Sequence, residues 1–294
     1  MEPWPDLEPY SGRIELKRSS VNLFYYDTGG DGLPVCVLVH GLADEADTWR
    51  HIVRPLSATH RVIVPDLPGF GRSGKPRRRY TVPWLCGVLG EFLDTLSVKD
   101  ALLCGSSLGG ILCQKISLDR PDLVGRLVLA DGVLLTAPQK ISLSLLLFLT
   151  PFVGESLYTR LRKDPDGAYQ TLIPYYHDLG GMPGKDREFL HKRVNERVWD
   201  DGQKYAFFSV LRNMGPWLRK RQKSIRRILP ESLVPTLILW GEDDRIMPAD
   251  SGRVLDRLQE HSVFKTIREA GHLPHQEQPE RFLALLREFL QNDS

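Results

Sequence analysis

An α/β fold on one mostly parallel sheet of eight strands is predicted by three features of this 294-residue sequence. Short β-type runs alternate with helix-type stretches. The central runs are apolar almost without a break, as strands covered by helices on both faces must be. The alternation also stops for about a hundred residues and then resumes, the pattern of one α/β domain that carries an insertion.

In chain order the strand candidates are RIELK (13–17), NLFYYDTG (22–29), PVCVLVHG (34–41), RVIVPD (61–66) and ALLCGSS (101–107), with helices expected near 48–57 and 83–97. SSLGGILCQKISLDRP has the apolar spacing of a helix that Pro121 ends, and GRLVLADG (125–132) reads as the sixth strand. From 133 to 230 the pattern is of helical stretches broken by Pro and Gly. PTLILWGEDD (235–244), SGRVLDRLQEH, SVFKTIREAGH (262–272) and PERFLALLREFLQ then restore the alternation. The expected organisation is a core of residues 1–132 and 231–294, with a helical cap of 133–230 inserted after strand six at the carboxyl end of the sheet, where ligands bind in such folds.

Composition excludes several classes. Apolar residues make up 41% and charged residues 26%, enough for a large core and unlike a disordered chain. Lys+Arg number 39 against Asp+Glu 37, so overall charge gives no reason to expect a nucleic-acid partner. The basic runs KPRRRY (75–80) and LRKRQKSIRR (218–227) read as solvated faces. Cys36, Cys86, Cys104 and Cys113 show no C-x-x-C or metal-ligand spacing and read as reduced core residues, which favours a reducing, cytoplasmic setting. The first residues, MEPWPDLEPYSG, lack a secretory pattern. The longest apolar run, 141–154, is shorter than the roughly 18 residues of a spanning helix.

Chemistry concentrates at Gly105-Ser106-Ser107-Leu108-Gly109, a G-x-S-x-G motif between an apolar strand and a helix. Small flanking residues allow a sharp turn that stands the central hydroxyl, Ser107, clear of the sheet. Ser106, off the central position, reads as structural. A serine hydroxyl is a weak nucleophile, so it needs a base within reach and a third group that fixes the tautomer of that base. WGEDDRIMP places Asp244 just past one strand, and EAGHLPHQEQPE places His272 just past the last. The chain order Ser, Asp, His is the one an elbow of this kind uses.

HG at 40–41, DLPGFGRSGKP at 66–76, GSSLGG at 105–110, WGEDDRIMP at 240–248 and GHLPHQEQPE at 271–280 together resemble the α/β-hydrolase fold superfamily. The resemblance is to its capped serine esterase, lipase and C–C hydrolase branch and covers nearly all of the chain outside the insertion. It implies a catalytic triad of Ser107, Asp244 and His272, with Asp244 rather than Asp243 at the family's G-x-x-D position. Asp131, at the end of strand six, is the outside candidate for the acid. It also implies an oxyanion hole made by the backbone N–H groups of Leu42 and Leu108. His40 then reads as a brace for its loop and His275 as a packing or rim residue.

Gly69 to Gly74 also matches G-x-G-x-x-G, but the segment KPRRRYTVP that follows opens no helix, so dinucleotide binding is not expected. No cofactor is expected, nor a metal, because His272 and His275 lack the i, i+4 spacing of a helical zinc pair. Serine at the elbow disfavours dehalogenase and epoxide hydrolase chemistry, whose members use Asp there. C–C bond hydrolases typically carry Trp after the catalytic histidine and a glycine-rich stretch after HG, where this chain has Leu273 and LADEAD (42–47). The expected substrate is a small-molecule carboxylic ester with a moderately apolar acyl group. LLLFLTPF (145–152) and YAFFSVL (205–211) could line an acyl pocket, touch lipid aggregates or form the insertion's own core.

Overall fold

The computed structural model describes residues 1–135 and 143–291. Eight strands form one sheet: β1 (Ser11–Leu16), β2 (Val21–Asp27), β3 (Val35–Val39), β4 (Arg61–Pro65), β5 (Ala101–Ser106), β6 (Val124–Ala130), β7 (Thr236–Gly241) and β8 (Ser262–Ile267). Their order is β1-β2-β4-β3-β5-β6-β7-β8. β1 and β4 each pair antiparallel with β2, and every other pair is parallel.

Alternation along the strands divides the core. Val37 and Val39 of β3, with Leu103, Leu127, Leu129 and Ile238 from its neighbours, join one apolar cluster. Cys36, Leu38, Cys104, Val128 and Leu239 point the other way into a second. Both faces are therefore covered, which is why these runs carry no polar alternation. The first cluster is closed by α2 (Val82–Thr95) and α3 (Leu108–Asp119); the second is closed on one side by α1 (Arg50–Ser57). All four cysteines are buried and unpaired.

The described residues between β6 and β7 contain no strand. They form α4 (Leu143–Leu149), α5 (Val153–Arg160), α6 (Pro165–Gln170), α7 (Gly184–Trp199) and α8 (Asp201–Ile228). The chain then returns through β7, α9 (Asp250–Asp256) and β8 to α10 (Pro274–Glu277) and α11 (Pro279–Gln291). Leu255 of α9 adds to the first cluster and Phe282 and Leu286 of α11 to the second. The basic run 218–227 lies on α8, with Leu218 and Ile225 buried and Arg219, Lys220, Arg221, Lys223, Arg226 and Arg227 exposed, as a solvated face requires. Part of the apolar run 141–154 lies outside the described residues. No described helix is long and apolar enough to cross a membrane.

Charge ties this helical segment to the core. Arg193 and Arg197 of α7 reach the loop after β3, where Arg193 Nε lies 2.9 Å from Glu45 Oε1 and Arg197 lies 2.6 Å from Asp44 and 2.8 Å from Glu45. Asp47 in the same loop pairs with Arg72 at 2.9 Å. LADEAD, an unremarkable polar loop as sequence, is thus the core's half of a buried ionic contact.

Candidate active site

β5 lies between β3 and β6 in the sheet, so the turn at its carboxyl end has the loops after those two strands as neighbours. Ser107 occupies that turn with φ +53° and ψ −116°, outside the ordinary regions for a residue with a side chain. The turn closes because its surroundings lack side chains: a Cβ on Gly109 would overlap the Val39 carbonyl oxygen, and one on Gly132 would overlap that of Ser107. This packing sets the residue types of GSSLGG and of the glycine after Asp131.

Asp244 and His272 arrive on adjacent loops because β7 and β8 are paired and their pairing continues past the strands, with Asp243 N–H donating to the Ala270 carbonyl at 3.0 Å. The strands end earlier than the sequence runs suggest, at Gly241 and Ile267, which leaves both side chains on loops. The His272 ring lies 2.9 Å through Nδ1 from Asp244 Oδ2 and 2.9 Å through Nε2 from Ser107 Oγ. An ionised carboxylate can only accept, so Nδ1 carries the hydrogen and Nε2 is left to accept from the Ser107 hydroxyl. Asp244 Oδ1 accepts from the N–H groups of Ile246 at 2.8 Å and Met247 at 3.0 Å, which fixes the carboxylate plane.

The other candidates fall elsewhere. Asp243 is on the surface, 2.8 Å from His177. Asp131 is fully buried and its Oδ1 accepts from Gly241 N–H at 2.9 Å. The carboxyls of Asp131 and Asp244 and the His272 ring present atoms within 4.8 Å of one another, the one set of this kind among the described residues, although His272 and Asp244 are already bonded to each other. Ser106 is buried.

Leu108 opens α3, so its N–H lies in the first turn, where helix amides lack intrahelical acceptors and the dipole favours negative charge. Leu42 follows Gly41, whose Cα faces Ser107 so closely that a Cβ there would stand 3.2 Å from Ser107 Cβ. Neither amide has an acceptor among the described residues. Leu108 belongs to the first apolar cluster and Leu42 packs against it.

His40 is buried, with Nδ1 2.8 Å from the Gly41 carbonyl and Nε2 accepting from Leu67 N–H at 2.8 Å. It braces the loop that carries Leu42. His275 is buried and stacked on Trp49 at 4.2 Å, and its Nε2 lies 2.9 Å from Thr48 Oγ1. Burial lowers the pKa of both rings, that of His275 to about 3. A protonated His275 therefore belongs to the unfolded chain, whose imidazole titrates near 6.5. Between those values the unfolded chain binds a proton that the folded chain refuses. Stability should be full above about pH 6.5 and fall below it by up to about 1.4 kcal/mol per pH unit for this residue, with His40 acting in the same direction. Thermal unfolding across that range should show the loss, with a shallower slope in His275→Gln; equal midpoints at about pH 7 and about pH 5 would contradict it.

Two contacts had no local sequence signal. His272 N–H donates to the Tyr175 carbonyl at 2.7 Å, and the Tyr175 ring lies 5.8 Å from the imidazole, so the segment between β6 and β7 holds the candidate base. Gln276 donates to Thr48 at 2.6 Å and accepts from Tyr176 at 2.9 Å, which anchors the turn beyond His272. The segment 66–81 contains no helix; Asp66 there accepts from Ala46 N–H and Arg72 N–H, each at 2.7 Å. The structure therefore offers the G-x-G-x-x-G run no helix N-terminus for a pyrophosphate.

A family model described as alpha/beta hydrolase fold matches residues 34–279, and the chain belongs to that family. It is a hydrolase-family protein with that family's eight-stranded, mostly parallel sheet. An uncharacterized hydrolase, YugF, of Bacillus subtilis is 28% identical over 278 residues, covering 92% of this chain and 94% of the relative. A 2-hydroxy-6-oxononadienedioate/2-hydroxy-6-oxononatrienedioate hydrolase of Paraburkholderia phymatum is 29% identical over 283 residues, covering 92% of each. The structure of a thermophilic esterase from Thermogutta terrifontis superposes with a TM-score of 0.72 at 24% identity, covering 96% of this chain and 98% of the other, which is a likeness of fold.

Proposed function

We propose that this protein is a serine hydrolase that cleaves carboxylic esters of moderately apolar acyl groups through an acyl-enzyme. The observation that carries the reading is the continuous hydrogen-bond path from Ser107 Oγ through the His272 ring to Asp244, 2.9 Å at each step. Ser107 Oγ attacks the ester carbonyl as its proton passes to His272 Nε2, and Asp244 stabilises the imidazolium that forms. The carbonyl oxygen, now negative, is met by the N–H groups of Leu42 and Leu108. The imidazolium then returns the proton to the departing alkoxide. Water, activated by the same nitrogen, attacks the acyl-enzyme, releases the acid and restores Ser107.

Residues 133–230 act in this reading as a cap over the site. Leu42 and Leu108, the apolar residues that follow Gly41 and Ser107, support an apolar acyl group. The rings of Phe148, Phe207, Phe208 and Tyr158 lie 5.1 to 6.1 Å apart and pack on one another, with Ala206, Phe208 and Val210 of the second apolar run buried, whereas Leu146, Leu147 and Phe152 of the first run are exposed. A panel of p-nitrophenyl esters from acetate to decanoate should give turnover that rises from acetate into the medium chains. No rate above buffer with any of them would overturn the proposal.

The Paraburkholderia relative favours a second reading, hydrolysis of a C–C bond in a vinylogous diketone acid. Leu273 and the LADEAD loop depart from the pattern of such enzymes. Turnover of a 2-hydroxy-6-oxo-dienoate in the absence of ester turnover would select this reading instead.

A further inference from the structure

Asp131 has no part in the mechanism above, yet it is a fully buried acid beside the charged end of the site. It follows β6 with φ +52°, a left-handed conformation that Asp tolerates better than most residues, and this directs Oδ1 to the Gly241 N–H. Its Oδ2 is buried and has no hydrogen-bond partner among the described residues. The Asp244 carboxyl lies within 4.8 Å.

Two carboxylates this close and this deeply buried repel each other strongly when both are charged, which favours a proton on one of them. Asp244 accepts from three N–H groups, those of Ile246, Met247 and His272. Asp131 accepts from one. The charge is better stabilised on Asp244, and the proton belongs on the unpartnered oxygen of Asp131.

We propose that Asp131 is un-ionised in the folded protein and donates its proton to the Asp244 carboxylate, as a positioning residue for the group that orients His272. The proposal rests on Asp244 being the acid of the triad. The groups facing Asp131 agree with it: burial raises its pKa well above the usual carboxylate range, the negative charges of Asp244 and Glu277 raise it further, and the Gly241 N–H opposes them. The arrangement gives a partner to the one Asp131 oxygen that has none among the described residues. It also spares His272 a second negative charge that would hold it as imidazolium and unfit it as a base.

Infrared spectra of protein carrying isotope-labelled aspartate should show, near neutral pH, the carbonyl band of an un-ionised carboxylic acid that shifts on deuteration. The band should vanish in Asp131→Asn. Its absence from the wild type overturns the proposal. For the positioning role, Asp131→Ala should lower kcat roughly tenfold through loss of a hydrogen bond to a charged group, and Asp131→Asn, whose amide can donate in the same place, should recover most of that loss. The acid limb of kcat/KM should coincide in Asp131→Asn and wild type, because no charge has been removed. A clear displacement of that limb to lower pH, or an alanine variant as fast as wild type, overturns the role. If ester turnover itself is absent, the triad reading fails while the infrared band still reports where the proton resides.

Discussion

Ser107→Ala is expected to abolish ester turnover, a loss of about six orders of magnitude in kcat by analogy with other serine triads, and to abolish labelling by a fluorophosphonate probe. The substitution removes one oxygen and leaves the Cβ that packs beside Gly41, so the elbow keeps its shape. Wild-type protein should label and the variant should not, with thermal midpoints alike. The pairing of readouts separates an activated hydroxyl from a serine that is merely present, because only a nucleophile held against a base attacks phosphorus. Labelling that persists in the variant would place the reactive group elsewhere, and wild-type protein that fails to label would point to a ligand-binding protein on a hydrolase scaffold.

The second large effect is that of Asp244→Asn, for which kcat should fall by about four orders of magnitude while the fold is retained. The new amide oxygen can still accept from Ile246 N–H and Met247 N–H. Its NH2 would then face His272 Nδ1, and a donor there forces the ring into the tautomer with hydrogen on Nε2. That hydrogen points at Ser107 Oγ, so the hydroxyl meets a donor where it needs a base. Asp243→Asn, which disturbs only a surface pair with His177, should leave kcat within about twofold, since an exposed pair of this type contributes little. Equal rates in the Asp244 variant and wild type would remove Asp244 from the mechanism.

The sequence revealed the sheet and the three side chains of the candidate site for one physical reason. Each of Ser107, Asp244 and His272 sits within five residues of a strand end, in a local context whose residue types are dictated by the backbone: glycines where chains touch, an apolar run where both faces are covered. What lay beyond reading is what pairs at long range. Nothing near Arg193 and Arg197 marks them as partners of a loop some 150 residues earlier. The Tyr175 carbonyl that holds His272 is a backbone group and leaves no trace in residue type. Asp131 could be seen as a candidate acid; that it is buried with one oxygen unpartnered, beside an acid richer in donors, depends on a fold that brings the ends of β6 and β7 together.

The clasp between α7 and the loop after β3 bears on how substrate preference could be transplanted between relatives. A foreign helical segment grafted at the boundaries of this one would leave Asp44 and Glu45 stranded without cations and His272 without the carbonyl that steadies its backbone. A working chimaera would have to import two arginines and a tyrosine-like turn along with whatever residues greet the new substrate. In this molecule the helical segment and the candidate site are tied together by these contacts and would have to be exchanged as a unit.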